Sequence, residues 1–201
     1  MYDYLIFDFD GTISDTYPIY TRALLSFLAD RGITADYDEV YAEFKNSVGH
    51  AYRKYGVSSD DAPAAKQRYK ELARQVQQTF PDAKEILEYT KSLGKHNYIY
   101  THTGKFVYEL LDRDGLTGYF DFILDGSYDF PRKPAPDGLN FLIEKCGIDR
   151  SRALMIGDRS IDTDAARNAG IAGCLIDTGG FFPSCVTDHY IKSLSELKNI
   201  I

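Results

Sequence analysis

The feature that most constrains the fold lies near the start of the chain, in residues 4–12 (Tyr-Leu-Ile-Phe-Asp-Phe-Asp-Gly-Thr). A short run of Leu, Ile, Phe and Tyr that ends at glycine predicts a buried strand of a parallel sheet. Asp8 and Asp10 then lie at the carboxyl end of this strand, and they share one side because side chains alternate along a strand. Open α/β sheets bind ligands beyond the carboxyl ends of their strands, so the two acids predict a functional site.

Two neighbouring carboxylates favour two kinds of chemistry. Oxygen ligands of this type hold Mg²⁺, which keeps several of its waters when bound. One aspartate can also attack phosphorus and form an aspartyl phosphate, while the other moves a proton. The simpler alternative is a pair of solvated acids in a turn, because apolar strands often end in Asp-Gly turns.

Composition limits the kinds of partner that this chain of 201 residues can have. Its formal net charge of −7 argues against a nucleic acid or an anionic membrane, so local cations would have to bind a phosphorylated substrate. The three cysteines, Cys146, Cys174 and Cys185, have neither metal-ligand spacing nor that of a disulfide framework. We therefore expect reduced thiols in a cytoplasmic protein, and no membrane partner because no segment approaches 18 consecutive apolar residues.

The periodicity of apolar residues predicts the domain organisation. Helices are predicted at residues 15–31, 37–45, 49–55 and 63–79, with no strand candidate between residues 13 and 80. Strands are then predicted at 97–101, 121–124, 153–156 and 172–176, alternating with helices at 82–93, 105–113, 137–146, 161–168 and 193–199. We expect a doubly wound parallel α/β sheet, formed by residues 1–14 and 81–201, with a small all-helical cap, residues 15–80, inserted after the first strand.

Three later strand ends carry further chemical groups. The second strand leads into Thr101-His102-Thr103-Gly104, where hydroxyls and backbone amides at a helix N-terminus favour an anion such as phosphate. Lys133 lies in a proline-rich loop, residues 131–136, that restricts where its cation points. Asp158 and Asp162 follow another strand, on either side of a short turn that opens a helix.

Each of these groups also has an ordinary structural explanation. Thr101 or Thr103 can be a helix N-cap, and most lysines are solvated, so Lys133 alone is weak evidence. The helix dipole favours acids in a first turn such as that of Asp158 and Asp162. The combination of these groups, each after its own strand, is what points to one site.

These segments, in this order, resemble the four motifs of the haloacid dehalogenase-like superfamily of hydrolases. Residues 8–12 resemble the first motif, Thr101 the second, Lys133 the third, and Asp158 with Asp162 the fourth. Residues 162–170 are also similar to the Asp-x-x-Ala-Ala-x-x-Ala-Gly run of the phosphoglycolate phosphatase-like subgroup, in which a helical cap follows the first motif. The resemblance spans the whole chain and implies a Rossmann-like core.

The resemblance also implies a role for each matching residue. Asp8 would be the nucleophile, Asp10 would protonate the leaving oxygen and then activate water, and Lys133 would offset charge on the phosphoryl group. The implied metal is Mg²⁺, bound by Asp8, Asp158 and the main-chain carbonyl of Asp10, with Asp162 in support. The implied substrate-binding or phosphate-binding residues are Gly11, Thr101, His102, Lys133, His50 and Arg53.

The histidines and Arg53 leave alternatives open. His50 and Arg53 lie beside Lys54 in a segment that resembles the specificity loop of the subgroup, but they can equally be solvated residues on a short helix. His102 stands where related sequences usually have a small residue. It can touch substrate, titrate near neutral pH or be an ordinary loop histidine.

We therefore expect a Mg²⁺-dependent phosphatase that acts, as a monomer or homodimer, on a small phosphorylated metabolite such as phosphoglycolate. Asp10 favours an oxygen leaving group, since dehalogenases and phosphonatases of the family lack an acid at this position. A phosphosugar mutase or phosphotransferase is one alternative, although related mutases carry a histidine where this chain has Tyr20. A non-catalytic protein that binds a phosphorylated ligand is another.

Overall fold

The computed structural model describes residues 1–76 and 79–201 of the chain. The chain divides into two compact units. One unit consists of Met1–Ser14 and Thr79–Ile201, and the other of Asp15–Gln78. Within the described residues, no helix combines the length and the apolar character needed to cross a membrane.

The unit Asp15–Gln78 is helical in its described residues. Its helices are α1 Tyr17–Ala29, α2 Tyr37–Asn46, α3 Val48–Lys54 and α4 Ala62–Gln75. The Asp36 side chain begins α2 by accepting hydrogen bonds from the backbone N–H groups of Asp38 and Glu39. The hydroxyl of Ser47 begins α3 by accepting from the backbone N–H of His50. These side chains satisfy amide groups that a helix start leaves without an intrahelical partner.

Aromatic rings fill much of the interior of this helical unit. Tyr20 stacks on Tyr69 with ring centroids 3.7 Å apart and planes 2° from parallel. The ring of Phe44 lies 5.4 Å from that of Tyr20, and all three side chains are buried. The apolar residues of α1 that recur at helical spacing are also buried: Ile19, Ala23, Leu24, Phe27 and Leu28.

The other unit is organised around a parallel sheet. In the described residues its strands are β1 Tyr4–Phe7, β2 His96–Tyr100, β3 Phe122–Leu124, β4 Ala153–Gly157, β5 Ala172–Ile176 and β6 His189–Ile191. Their order across the sheet is β3-β2-β1-β4-β5-β6, and each neighbouring pair is parallel. The winding direction changes between β1 and β4, and doubly wound sheets bind their ligands at such a switch point.

Helices follow the strands of this unit. Their bounds are α5 Ala83–Ser92, α6 Phe106–Arg113, α7 Asp137–Cys146 and α8 Ser160–Asn168. One core cluster joins apolar side chains of α7 and α8 to the sheet, and its members include Ile6, Leu124, Leu139, Leu142, Met155, Ala165 and Ala166. The observed alternation confirms the predicted doubly wound parallel α/β fold.

Some elements differ from those predicted. The sequence pattern does not predict β6, because its three residues include the half-buried His189 and the exposed Tyr190 and form no apolar run. The helix predicted at residues 193–199 is a 3₁₀ helix, Leu194–Asn199. Helix α4 ends at Gln75 although the periodicity predicts helix through residue 79, and residues 77 and 78 of that prediction lie outside the described residues.

Candidate active site

The turn after β1 places the two aspartates of the first motif. Asp8 continues the pairing of β1, since its backbone N–H donates to the carbonyl of Ile156 over 2.8 Å. The carbonyl of Phe9 then accepts hydrogen bonds from the three N–H groups of Thr12, Ile13 and Ser14. Gly11 has φ +77°, a backbone conformation that residues other than glycine rarely adopt. This tight turn leaves Asp8 buried and Asp10 partly exposed at the carboxyl edge of the sheet.

Lys133 lies between two buried carboxylates. Its Nζ is 3.1 Å from Oδ1 of Asp8 and 2.6 Å from Oδ1 of Asp162. The same Nζ donates to the carbonyl of Tyr100 over 3.1 Å. The side chains of Lys133 and Asp162 are 0% exposed, so both charges are removed from solvent. Such a buried cation is stabilised only while its partners are present.

Asp162 has a structural role beside its pair with Lys133. Its Oδ2 accepts a hydrogen bond from the backbone N–H of Arg159 over 3.1 Å, which helps to begin α8. The carboxylate lies against the backbone of Gly157, where an added Cβ would be 2.3 Å from Cγ of Asp162. Asp162 therefore has two roles: it is an acid in the first turn of α8, as the ordinary explanation holds, and it forms an ion pair with Lys133.

Three buried carboxylates offer a set of metal ligands. Oxygens of Asp8, Asp158 and Asp162 lie within 4.8 Å of one another. Lys133 balances one of these three charges, and Arg159 Nε lies 4.0 Å from Oδ1 of Asp158. An oxygen-only donor set with surplus negative charge fits Mg²⁺. Asp162 also pairs with Lys133 and caps α8, and the choice of Asp8 and Asp158 as metal ligands stays a prediction.

The charges in this cluster alter one another's protonation. Burial raises the pKa of the Asp8 carboxyl above its usual value, and the charge of Lys133 opposes this shift. Burial also disfavours the charged form of Lys133, but the carboxylates of Asp162 and Asp8 raise its pKa above the ordinary lysine value. Lys133 therefore stays protonated and favours the ionised form of Asp8.

Neither Thr101 nor Thr103 serves as the N-cap of α6. The residue at the N-cap position is Lys105, whose side chain makes no capping hydrogen bond. The buried Thr101 accepts a hydrogen bond at its Oγ1 from the backbone N–H of Thr103 over 3.0 Å. A hydroxyl can accept one hydrogen bond and donate another, so Thr101 keeps the capacity to donate to a phosphoryl oxygen. Its predicted contact with phosphate stays a prediction, as does that of Gly11.

Sequence reasoning missed the contact that Thr103 makes. Its Oγ1 donates to Oδ2 of Asp10 over 2.6 Å. The two residues lie 93 positions apart on neighbouring strand ends. The repeated Thr-x-Thr pattern after a strand was the only available signal, and it suggested a helix cap.

His102 contacts the loop that carries Lys133. Its Nε2 accepts a hydrogen bond from the backbone N–H of Lys133 over 3.0 Å, which places the proton of the neutral ring on Nδ1. Burial, together with the nearby charges of Lys133 and Arg132, lowers the pKa of His102 to about 3. Titration near neutral pH, one of the sequence-based expectations, is therefore wrong for this residue. Contact between His102 and substrate stays a prediction.

The low pKa of His102 predicts that it weakens the protein in acid. An ordinary histidine has a pKa of 6.5, so below that pH the unfolded chain binds a proton that the folded chain excludes. The variant His102→Gln keeps an acceptor for the N–H of Lys133 but does not titrate. Between pH 7 and pH 4 we expect the unfolding free energy of the natural protein to fall by about 2–3 kcal/mol more than that of the variant.

Urea denaturation of both proteins at pH 7, 5 and 4, in a chelator to exclude bound metal, measures this difference. The carboxylates titrate in both proteins, so their contribution cancels in the comparison. If the two unfolding free energies changed with pH in parallel, His102 would bind a proton as readily in the folded chain as in the unfolded chain. That result would contradict the prediction.

The predicted substrate contacts of the helical unit lie on α3. His50 Nε2 is 2.8 Å from Oε2 of Glu43, and Lys54 Nζ is 2.5 Å from Oε1 of the same carboxylate. Arg53 is exposed. The structure thus brings His50 and Lys54 together on Glu43, and the roles of His50 and Arg53 toward substrate stay predictions.

Comparison with known proteins identifies the family. The model of the haloacid dehalogenase-like hydrolase family matches residues 5–176. The phosphoglycolate phosphatase of Mesorhizobium japonicum is 32% identical over 96% of this chain and 93% of that protein. The phosphoglycolate phosphatase of Vibrio parahaemolyticus is 29% identical over 98% of this chain and 95% of that protein.

A solved structure agrees with the sequence comparisons. The crystal structure of a hydrolase from Streptococcus pneumoniae is 28% identical, covers 99% of this chain and 97% of its own, and has a TM-score of 0.71. The match of the family model extends from β1 through β5 and includes each of the four strand ends described above. This chain therefore belongs to the haloacid dehalogenase-like hydrolase family.

Proposed function

We propose that this chain is a Mg²⁺-dependent phosphatase that hydrolyses a small phosphomonoester through an aspartyl phosphate on Asp8. The observation that carries the proposal is the buried carboxylate of Asp8, paired with Lys133 at 3.1 Å and grouped with Asp158 and Asp162. A desolvated carboxylate beside a fixed cation is suited to attack phosphorus, because the same cation can offset charge on the phosphoryl oxygens. The relatives named phosphoglycolate phosphatase make phosphoglycolate the first substrate to test.

The proposed reaction has two halves. In the first, an oxygen of Asp8 bonds to phosphorus while the bond from phosphorus to the leaving oxygen breaks, and Asp10 gives that oxygen a proton. In the second, Asp10 takes a proton from water, the water oxygen bonds to phosphorus, and the bond to Asp8 breaks. Phosphate leaves, and both aspartates return to their starting states.

The remaining groups stabilise charge in this scheme. Lys133 and the hydroxyl of Thr101 offset negative charge on the phosphoryl oxygens, which is the main requirement of phosphoryl transfer. Asp8, Asp158 and the main-chain oxygen of Asp10 would hold Mg²⁺, which supplies further positive charge at those oxygens when bound. Asp162 holds Lys133 in place through the 2.6 Å ion pair.

The side chain at position 20 supports hydrolysis over the mutase alternative. Related mutases have a histidine at this position, whereas Tyr20 is buried and stacks on Tyr69. The ring therefore belongs to the interior of the helical unit and offers no imidazole for proton transfer.

Among the residues proposed to select the substrate, Arg53 is the best candidate. His50 and Lys54 already pair with Glu43, so binding a substrate anion would require each to give up that partner. Arg53 is exposed on the same helix, α3. A guanidinium binds carboxylate or phosphate through paired hydrogen bonds, which suits a substrate with a second charged group.

Phosphate release from a panel of esters tests the proposed function. The panel contains phosphoglycolate, hexose phosphates, nucleoside monophosphates and pyrophosphate, each assayed with Mg²⁺ and with a chelator. We expect at least one compound to be hydrolysed only when Mg²⁺ is present, with activity restored when Mg²⁺ replaces the chelator. Hydrolysis that ignores chelation would contradict a metal-dependent mechanism, and binding without any hydrolysis would favour a phospholigand-binding protein.

A further inference from the structure

The hydrogen bond from Thr103 distinguishes the two oxygens of the Asp10 carboxylate. Oδ2 accepts from Oγ1 of Thr103 over 2.6 Å. Oδ1 is buried, and within residues 1–76 and 79–201 it has no hydrogen-bond partner. A carboxylate that accepts a hydrogen bond at one oxygen keeps the other available to carry a proton. The two oxygens therefore lie in different surroundings.

We propose that Thr103 is a positioning residue that holds Asp10 for proton transfer. This inference rests on the proposed function, and it adds a residue outside the four matching motifs. Thr103 fixes Oδ2, so that Oδ1 carries the proton to the leaving oxygen. In the second half of the reaction, Oδ1 takes a proton from water and Thr103 still donates to Oδ2.

The backbone around Thr103 is itself anchored, which makes the side chain a firm support. Its N–H donates to Oγ1 of Thr101 over 3.0 Å, and its carbonyl accepts from the N–H of Gly126 over 2.8 Å. Gly126 packs so tightly that an added Cβ would lie 2.2 Å from the carbonyl oxygen of His102. Groups that orient a reacting side chain are effective when they are held on both sides in this way.

The hydroxyl of Thr103 has no competing structural task at the start of the following helix. Lys105 occupies the N-cap position of α6, two residues beyond Thr103. Asp10 lies in the turn after β1, and Thr103 follows β2, the strand that pairs with β1. The hydrogen bond therefore joins two loops at the carboxyl edge of the sheet.

The dependence of the rate on the leaving group provides the test. An alkyl oxygen needs a proton as it leaves, whereas p-nitrophenolate is stable without one. The ratio kcat/KM reports the steps through release of the leaving group, so it isolates the first proton transfer from the later attack by water. The variant Thr103→Val removes the hydroxyl at nearly the same volume, and Thr103→Ser retains it.

We expect Thr103→Val to lower kcat/KM for phosphoglycolate, or for the best alkyl ester of the panel, by about 10- to 100-fold. The value for p-nitrophenyl phosphate should change by no more than about 2-fold, because its leaving group does not need the proton. Thr103→Ser should keep both values near those of the natural protein. Thermal unfolding of each variant shows whether the fold is retained.

Equal losses of kcat/KM on the two esters would show that the hydroxyl has a merely structural role. A loss in Thr103→Ser as large as that in Thr103→Val would show the same. Either result would overturn this inference but leave the proposed function standing. An unchanged alkyl rate in Thr103→Val would do the same. The natural protein and Asp8→Asn are assayed alongside. If the natural protein cleaves neither ester, or Asp8→Asn cleaves them as fast, the proposed function itself fails, and the two failures are thereby distinguished.

Discussion

Replacing Asp8 with asparagine is expected to reduce phosphate release by about 10³-fold or more while the protein stays folded. The amide has nearly the size of the carboxylate but cannot attack phosphorus. Lys133 keeps Asp162 as a partner at 2.6 Å, so the cation remains paired after the substitution. Burial already disfavours the charged form of Asp8, which offsets part of what is lost when its ion pair disappears.

Two measurements check this prediction separately. Phosphate release is assayed with the best substrate, and acid-quenched protein is examined for covalently bound radiolabelled phosphate, which the natural protein should retain and Asp8→Asn should not. Asp60→Asn, which changes an exposed aspartate of the helical unit, is the matched control and should behave like the natural protein. Near-normal turnover by folded Asp8→Asn would rule out the aspartyl-phosphate mechanism.

Replacing Lys133 with methionine is expected to damage both activity and stability. The side chain fills a similar volume but leaves Asp8 and Asp162 buried without their cation. Breaking a buried ion pair in this way costs about 3–5 kcal/mol of the unfolding free energy. Loss of the charge that offsets the phosphoryl oxygens should also lower kcat by about 10²- to 10³-fold.

Lys95→Met separates the two effects. Lys95 is also buried in the sheet unit, where its Nζ donates to the carbonyl of Tyr2 over 2.7 Å and lies 3.6 Å from Asp3. This variant should lose stability but keep kcat once it is folded. Urea denaturation and initial rates measured below the unfolding transition give both quantities. If Lys133→Met hydrolysed substrate as fast as Lys95→Met, the proposed role of Lys133 in the reaction would be wrong.

Local sequence patterns were sufficient to locate the strand ends that form the site. Each end is marked by an apolar run followed by glycine, a hydroxyl or an acid, as in Asp8 after β1 and Asp158 after β4. Parallel strands bring such ends to one edge, and the position of Asp8 beside Lys133 follows this rule. The short strand β6 could not be found in this way. It is a strand because it pairs with β5, and its own residues carry no strand pattern.

The contacts within the site could not be predicted from the sequence for a different reason. Thr103 reaches Asp10, and His102 reaches the N–H of Lys133, only because loops distant in the chain take particular conformations. Side-chain hydrogen bonds of this kind leave no periodic signal. The sequence showed which residue types were present. Whether Thr103 and His102 cap a helix, contact substrate or hold another residue of the site could be judged only from the backbone geometry.

The contact between Gly157 and Asp162 restricts which side chains position 157 can accept. A Cβ at position 157 would overlap the carboxyl group that holds Lys133, so an alanine there would force Asp162 to move. Such a movement would disturb the shorter of the two ion pairs of Lys133. The absence of a side chain at position 157 therefore helps to keep the carboxylate of Asp162 where it pairs with Lys133.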